Sequence, residues 1–232
     1  MATTLITGTG SGIGRALAKA CLQRGDTVFG VGRREKSPID HSDFHYLSLD
    51  LRRLERIEKV LGTFLEAVST LDLVVLNAGI LGEIKEMTET SLYEIEEVMQ
   101  VNVWANKIIL DTLAGSQKTV RQIVGISSGA AVNGSKGWGP YSLSKASLNM
   151  LLKLYSRELP ETHVTALAPG VVDTPMVRHI TEEVDAERFP SAARLKKGPI
   201  QRPEEAAKRL LDAFEKVKNV ESGSFLDVRS ME

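Results

Sequence analysis

Residues 3–14 read Thr3-Thr4-Leu5-Ile6-Thr7-Gly8-Thr9-Gly10-Ser11-Gly12-Ile13-Gly14, and the fold is decided there. Thr3 to Ile6 make a short buried strand. Glycines follow, and Ile13, Leu17, Ala20 and Cys21 then recur at helical spacing until Gly25. A strand that passes through a glycine turn into a helix aims unpaired N–H groups and the positive helix end at one point, which suits a phosphate. Glycines permit the tight turn and the close approach of a pyrophosphate. The spacing is G-x-x-x-G-x-G over Gly8, Gly12 and Gly14, with Gly10 in addition. Alone, such a cluster fits many tight turns; between a strand and a helix it points to a dinucleotide.

The rest of the chain repeats the alternation. Strands are expected at Thr27 to Val31, Phe44 to Leu49, Leu71 to Leu76, Thr119 to Ile126, Val164 to Leu167 and Phe225 to Val228. Apolar stripes between them mark helices over Leu54 to Val68, Ser91 to Thr112, Tyr141 to Glu158 and from Pro203 past Phe214. Ser91 and Glu94 are spaced as a capping box. Asn102 interrupts its helix and wants hydrogen-bond partners there. With the first strand this makes a doubly wound, parallel, seven-stranded α/β sheet with helices on both faces, in one domain over residues 1–232. Ligands of such a sheet sit at its carboxyl strand ends.

Composition narrows the function classes. The 232 residues are 42% hydrophobic and 25% charged, as in soluble globular proteins. A formal net charge of -1 provides no general field for nucleic acid or anionic membrane. No apolar run approaches membrane-spanning length, strand-like sequence at the N-terminus leaves no room for a signal peptide, and a cytoplasmic protein is expected. The single cysteine, Cys21, lies on an apolar helical stripe and reads as core. His41, His45, His163 and His179 lack metal-ligand spacing, so no metal is expected.

Two stretches carry the candidate chemistry. After the second strand comes Gly32-Arg33-Arg34, with no carboxylate before Glu35. A carboxylate there would bind the ribose 2′-hydroxyl of NAD, whereas arginine suits the 2′-phosphate of NADP, so NADP(H) is expected; solvated loop charges are the bland alternative. The second stretch is Ile126-Ser127-Ser128, then Trp138, Tyr141 and Lys145. Tyr141 and Lys145 are four apart, hence on one face of a helix. An ammonium ~4 Å from a phenol at an effective dielectric of ~20 favours the phenolate by ~4 kcal/mol, enough to bring a pKa of ~10 toward ~7, less whatever desolvation takes back. Such a tyrosine exchanges protons at neutral pH. A serine at the preceding strand end would hold a carbonyl oxygen beside it.

These elements together resemble the short-chain dehydrogenase/reductase family, over nearly the whole chain. The family's glycine motif T-G-x-x-x-G-I-G is Thr7 to Gly14, its N-A-G is Asn77-Ala78-Gly79, and its helical asparagine is Asn102. Its catalytic tyrosine and lysine match Tyr141 and Lys145, its serine thirteen residues earlier selects Ser128, and its P-G-x-x-x-T is Pro169, Gly170 and Thr174. The resemblance implies a Rossmann-like fold and hydride transfer between a nicotinamide and a carbonyl or alcohol, with Asn102, Ser128, Tyr141 and Lys145 as the catalytic set. It assigns the cofactor to Gly8, Ser11, Gly12, Ile13, Gly14, Arg33, Asp50, Leu51, Asn77, Ala78, Gly79, Tyr141, Lys145, Pro169, Gly170, Val172 and Thr174. Asn102 is expected to position a water that links Lys145 to solvent. Many members pair through the two long helices, so a homodimer is expected.

Within the family the chain is most similar to the benzil reductase and sepiapterin reductase-like members, through Ser127 to Ala131, Lys136-Gly137-Trp138 and Pro169 to Met176. That implies an NADPH-dependent reductase of a small carbonyl substrate, an aromatic ketone or 1,2-dicarbonyl, held by Ser128, Trp138, Tyr141 and Met176. Two other readings stay open: a 3-oxoacyl thioester reductase, and a dinucleotide-sensing protein without catalysis. Residues 175–200 read as a substrate lid, with Met176, Val177, Ile180, Phe189 and Leu195 to cover a ligand. Two departures from the family pattern are Leu76 before Asn77 and Ser11, often basic where NADP is preferred, which leaves Arg33 and Arg15 for a 2′-phosphate.

Overall fold

The computed structural model describes residues 1–231. Strand β1 (Thr3–Thr7) leads through the glycine turn into α1 (Gly12–Gln23), then β2 (Thr27–Gly32), β3 (Phe44–Ser48) and α2 (Leu54–Phe64). The expected fourth strand is divided into β4 (Thr70–Leu71) and β5 (Leu73–Leu76). The chain continues through α3 (Leu92–Met99), a π-helical turn at Gln100–Trp104 and α4 (Ala105–Ala114). The fifth strand is likewise divided, into β6 (Thr119–Val120) and β7 (Gln122–Ile126). Then come α5 (Ala130–Asn133), α6 (Gly139–Glu158), β8 (His163–Ala168), α7 (Pro175–Glu182), α8 (Pro190–Lys197), α9 (Pro203–Lys216) and β9 (Phe225–Asp227).

Seven strands form one parallel sheet in the order β3-β2-β1-β5-β7-β8-β9. The two divided strands have a common cause. At Asp72 the backbone N–H donates to the Thr3 carbonyl (2.9 Å) and the carboxylate accepts from the Thr3 N–H (2.8 Å), while Arg121 N–H donates to the Leu71 carbonyl. The flanking residues therefore pair with each other, as a two-stranded β4–β6 ribbon.

Strand side chains alternate between faces. Leu5, Val74, Ile123 and Val164 meet Ile57, Leu61, Ile109, Leu110, Leu148 and Leu152 on the face covered by α2, α4 and α6. Ile6, Val75, Val124 and Leu167 meet Leu17, Cys21, Leu210 and Phe214 on the face covered by α1 and α9. Each such side chain removed from water contributes about 1.5–3 kcal/mol. Cys21 is fully buried, as its place on the helical stripe predicts, and burial raises its thiol pKa to about 11. No helix among the described residues is long and apolar enough to cross a membrane.

This topology fixes where a ligand goes. The chain winds outward from β1 to β3 and returns on the other side of β1 as β5, leaving a crevice at the carboxyl ends of those two strands. A third, smaller apolar cluster roofs that crevice, made of Leu81, Ala130, Trp138, Tyr141, Ile180 and Ala192. It joins the loop before α6 to α7 and α8, so residues 175–200 form two packed helices rather than an open loop.

Candidate active site

A cleft of about 1020 Å³ runs across the carboxyl ends of the sheet. Its dinucleotide-shaped half starts where β1 and β5 diverge. Thr7 Oγ1 accepts from the N–H groups of Asn77 and Ala78 (both 3.0 Å), and Asn77 Nδ2 donates to the Thr7 carbonyl (2.9 Å). These bonds bring the two strand ends so close that a Cβ on Gly8 would lie 2.9 Å from the Ala78 Cα; Gly8 also has φ +77, which L side chains rarely adopt. A Cβ on Gly14 would overlap the Gly8 carbonyl. Gly14 therefore serves close packing of α1 on the turn and does not face the cleft.

Gly8, Ser11, Gly12 and Ile13 do line it. Ser11 caps α1 with extended backbone and no side-chain hydrogen bond, and the first turn holds no acidic residue. The helix end thus keeps its N–H groups and positive potential for an anion. Across the cleft from Gly12 stands Thr174, 3.0 Å from where a Cβ on that glycine would be, so the glycine turn and the segment after β8 form a narrow passage.

Arg33, Asp50, Leu51, Asn77, Ala78, Gly79, Pro169, Gly170, Val172 and Thr174 all line this half. Arg15 does not. The second guanidinium here is that of Arg34, whose Nε comes within 3.5 Å of a Cβ built on Gly10, and whose carbonyl accepts from Tyr46 OH (2.9 Å). The residue following the strand reaches the glycine turn, whereas a residue one turn into α1 does not. Arg52 is a further lining residue without a sequence signal. Its guanidinium holds Asp50 (2.6 Å) and keeps that carboxyl below its ordinary pKa. Glycines, a free helix end, two arginines and an aspartate fit a dinucleotide.

The other half is lined by Ser128, Trp138, Tyr141, Lys145, Met176, Val177, Ile180 and Leu195. Ser128 arrives at the end of β7, and α6 begins at Gly139 with Pro140 in its first turn, earlier than the spacing indicates. Tyr141 and Lys145 leave the same face of α6, the ammonium 5.6 Å from the phenol ring centroid. Lys145 Nζ donates to the Ile126 carbonyl (2.8 Å).

Here one expectation fails. The phenol pKa is not lowered toward neutrality: burial pushes it up to about 12, with a hydrogen bond from Ser128 opposing in part. Burial also brings Lys145 down to about 8. With both groups out of water, desolvation disfavours the charged form of each. Phe189 is also misplaced by the sequence reading. It lies beneath Gly137, where a Cβ would come 2.5 Å from its ring, and does not line the cleft.

Asn102 stands behind the site in the π-helical turn, where one extra residue per turn reorients side chains. Its Oδ1 accepts from Ile80 N–H (2.8 Å), and its Nδ2 donates to the Ile80 carbonyl and Ser144 Oγ (both 2.9 Å). Its own carbonyl accepts from Asn106 Nδ2 (2.8 Å). A Cβ on Gly79 would be 3.1 Å from Asn102 Oδ1 and 3.5 Å from Lys145 Nζ, so these two groups converge on Gly79. Asn102 thereby clamps the strand end after β5 to α6.

The chain matches the model of the family described as short chain dehydrogenase over residues 2–185. It is 30% identical to a benzil reductase ((S)-benzoin forming) of Bacillus subtilis, over 97% of each chain. It is 30% identical to an NADPH-dependent pterin aldehyde reductase of Arabidopsis thaliana, over 75% of this chain and 76% of the relative. A 3-oxoacyl-[acyl-carrier-protein] reductase of Aquifex aeolicus is 32% identical over 78% of each. Among solved structures, a short chain dehydrogenase/reductase from Saccharomyces cerevisiae superposes with a TM-score of 0.85 at 21% identity, over 98% and 96% of the two chains, and so shares the fold.

Proposed function

Since the chain belongs to the short-chain dehydrogenase family, and is an oxidoreductase on that ground, we propose that it is an NADPH-dependent carbonyl reductase of aromatic ketones, above all 1,2-dicarbonyls such as benzil. The observation that carries this reading is the meeting of Ser128, Tyr141 and Lys145 in one cleft with a phosphate-ready helix end.

Ser128 Oγ and Tyr141 OH hold the substrate's carbonyl oxygen. When bound, NADPH supplies the hydride that reaches the carbonyl carbon. As charge develops on the oxygen, Tyr141 donates its proton there and Ser128 stabilises it. A phenol of pKa about 12 is protonated throughout the neutral range, as an acid for reduction must be. Lys145, when protonated, stabilises the phenolate left behind, and Asn102 keeps Gly79 and Ile80 in register beside it. Arg33 and Arg34 would hold the 2′-phosphate, and Asp50, steadied by Arg52, would hold the adenine end.

Trp138, Met176, Ile180 and Leu195 give the substrate end an apolar wall, with α7 and α8 as its lid, and Ser128 and Tyr141 form the pair that takes the carbonyl oxygen. Such a pocket favours planar aromatic ketones. In a 1,2-dicarbonyl the second carbonyl withdraws charge from the first and eases hydride attack. The whole-length benzil reductase relative supports the same substrate class, and the pterin aldehyde reductase supports a carbonyl on a flat ring system. Pairing of two copies through α4 and α6 is supported by the exposed apolar side chains Leu143, Met150 and Leu154 on α6 and Trp104 beside α4.

The test is NADPH oxidation across benzil, a pterin aldehyde, quinones and 3-oxoacyl thioesters. Benzil should be reduced at one carbonyl to the hydroxyketone. A thioester turned over better than every aromatic dicarbonyl would replace this reading with the acyl reductase one. No oxidation with any carbonyl, together with tight NADPH binding, would leave a dinucleotide sensor.

A further inference from the structure

We propose that Ser191 is a positioning residue that sets substrate and stereochemical selectivity by holding the Trp138 indole against the reacting carbonyl; this rests on the reading of Trp138 as the substrate wall. The indole has one polar group, a donor. In this structure Nε1–H donates to Ser191 Oγ at 2.6 Å, a partner 53 residues away in the chain. Trp138 is 9% exposed and Ser191 8%, and the bond between them is buried. The same indole meets the Tyr141 ring edge-on, with centroids 6.0 Å apart and planes at 61°. One side of the indole thus adjoins the proton donor while its far edge is pinned to α8.

Ser191 is itself a fixed point. It lies in the first turn of α8, and the preceding Phe189 is seated beneath Gly137. Arg188 holds Glu89 through both carboxylate oxygens (2.7 and 2.6 Å), and Arg194 Nη2 donates to Ser135 Oγ (3.2 Å). The segment from 188 to 194 is therefore fastened to Glu89 before α3 and to Ser135 before α6. Without the serine hydroxyl, the buried indole N–H has no acceptor, and a buried unpaired donor is costly enough to turn the ring toward another one. Turning the ring changes the wall against which a flat diketone lies. That wall decides which face of the carbonyl is presented, and so which hydroxyketone enantiomer forms.

The experiment compares wild type, Ser191→Ala and Ser191→Thr with NADPH, on benzil and on 2,3-butanedione. Ser191→Ala should raise KM for benzil about five- to tenfold and lower the enantiomer ratio of the product, while KM for butanedione and NADPH affinity stay within about twofold. Ser191→Thr, which keeps the hydroxyl, should restore both. Trp138→Phe should reproduce the loss, and Ser191→Ala added to it should cost nothing more, since both remove one bond. An unchanged enantiomer ratio, equal loss on both diketones, or additive effects in the double variant would overturn the assignment. An activity-independent arm uses Trp104→Phe, which leaves Trp138 as the sole tryptophan. There Ser191→Ala should shift the emission maximum and increase acrylamide quenching at least about twofold, and identical emission would overturn the assignment. If the wild type reduces neither diketone, the proposed activity fails, and this fluorescence arm alone decides the role of Ser191.

Discussion

The dinucleotide end of the cleft is made largely of backbone, from short stretches that each follow a strand: Gly8 to Ile13 after β1, Arg33-Arg34 after β2, Asp50-Leu51 after β3 and Asn77 to Gly79 after β5. The substrate end is held by contacts that form only through tertiary packing: Trp138 with Ser191, Phe189 with Gly137, Arg188 with Glu89, Ile180 and Ala192 with Tyr141. A backbone site needs residue types at fixed spacing, whereas a side-chain site needs distant elements to dock. The first kind is written in a local pattern and the second is not. Tyr141 and Lys145 lie at the seam between them.

The largest expected effect strikes that seam. Tyr141→Phe removes only the transferable proton, so turnover should fall by about 10²–10⁴-fold while NADPH binding persists. Stopped-flow turnover and a fluorescence titration measure the two; activity above about a hundredth of wild type would deny Tyr141 its role as the acid.

Arg33→Ala should separate the halves from the dinucleotide side. Loss of a charge-assisted bond to the 2′-phosphate should weaken NADPH by about 1.5–3 kcal/mol, leaving NADH binding and diketone KM nearly unchanged. Equal weakening of both cofactors would mean that Arg33 supports the fold instead of reading the phosphate. With Arg34 beside Gly10, an Arg34→Ala variant should act in the same direction.

The pH dependence tests the electrostatics of the seam. Lys145 is brought down to about 8 and Tyr141 up to about 12, so the lysine loses its charge first as pH rises. The acid stays protonated, but its phenolate product loses the neighbouring cation. The kcat/KM for reduction should therefore fall above about pH 8, by up to tenfold per pH unit. A profile flat to pH 10 would show that Lys145 keeps its proton in the working enzyme.

The smallest effect is expected from the substrate side. Gly137 has φ +89, and a Cβ there would lie 2.5 Å from Phe189. Gly137→Ala should cost about 1–3 kcal/mol of stability by overpacking and raise diketone KM, with NADPH affinity unchanged. Thermal unfolding with and without NADPH, alongside KM, would read this. Weakened NADPH binding would break the comparison by showing that the two ends are coupled.

How much was legible follows the same division. Strand and helix alternation, the glycine turn, the strand-end residues and the Ser128–Tyr141–Lys145 set could be read because each is a matter of period or spacing along the chain. The division of two strands at Asp72 could not, because it depends on a carboxylate meeting Thr3 across 69 residues. Nor could the choice of Arg34 over Arg15, since both arginines look equally placed until the turn is folded. The direction of the Tyr141 shift was misjudged because spacing reveals a neighbouring charge but not how far both groups are withdrawn from water.

The amino-acid order by itself determined a doubly wound sheet, the position of its crevice and which residues stand at its strand ends, because backbone geometry and hydrophobic period act locally. Only the tertiary structure decided how the substrate wall is held, which arginine accompanies Arg33, how Asn102 is engaged and where the phenol and ammonium titrate. Those properties depend on burial and on contacts between residues far apart in the chain, and neither exists until the helices have docked.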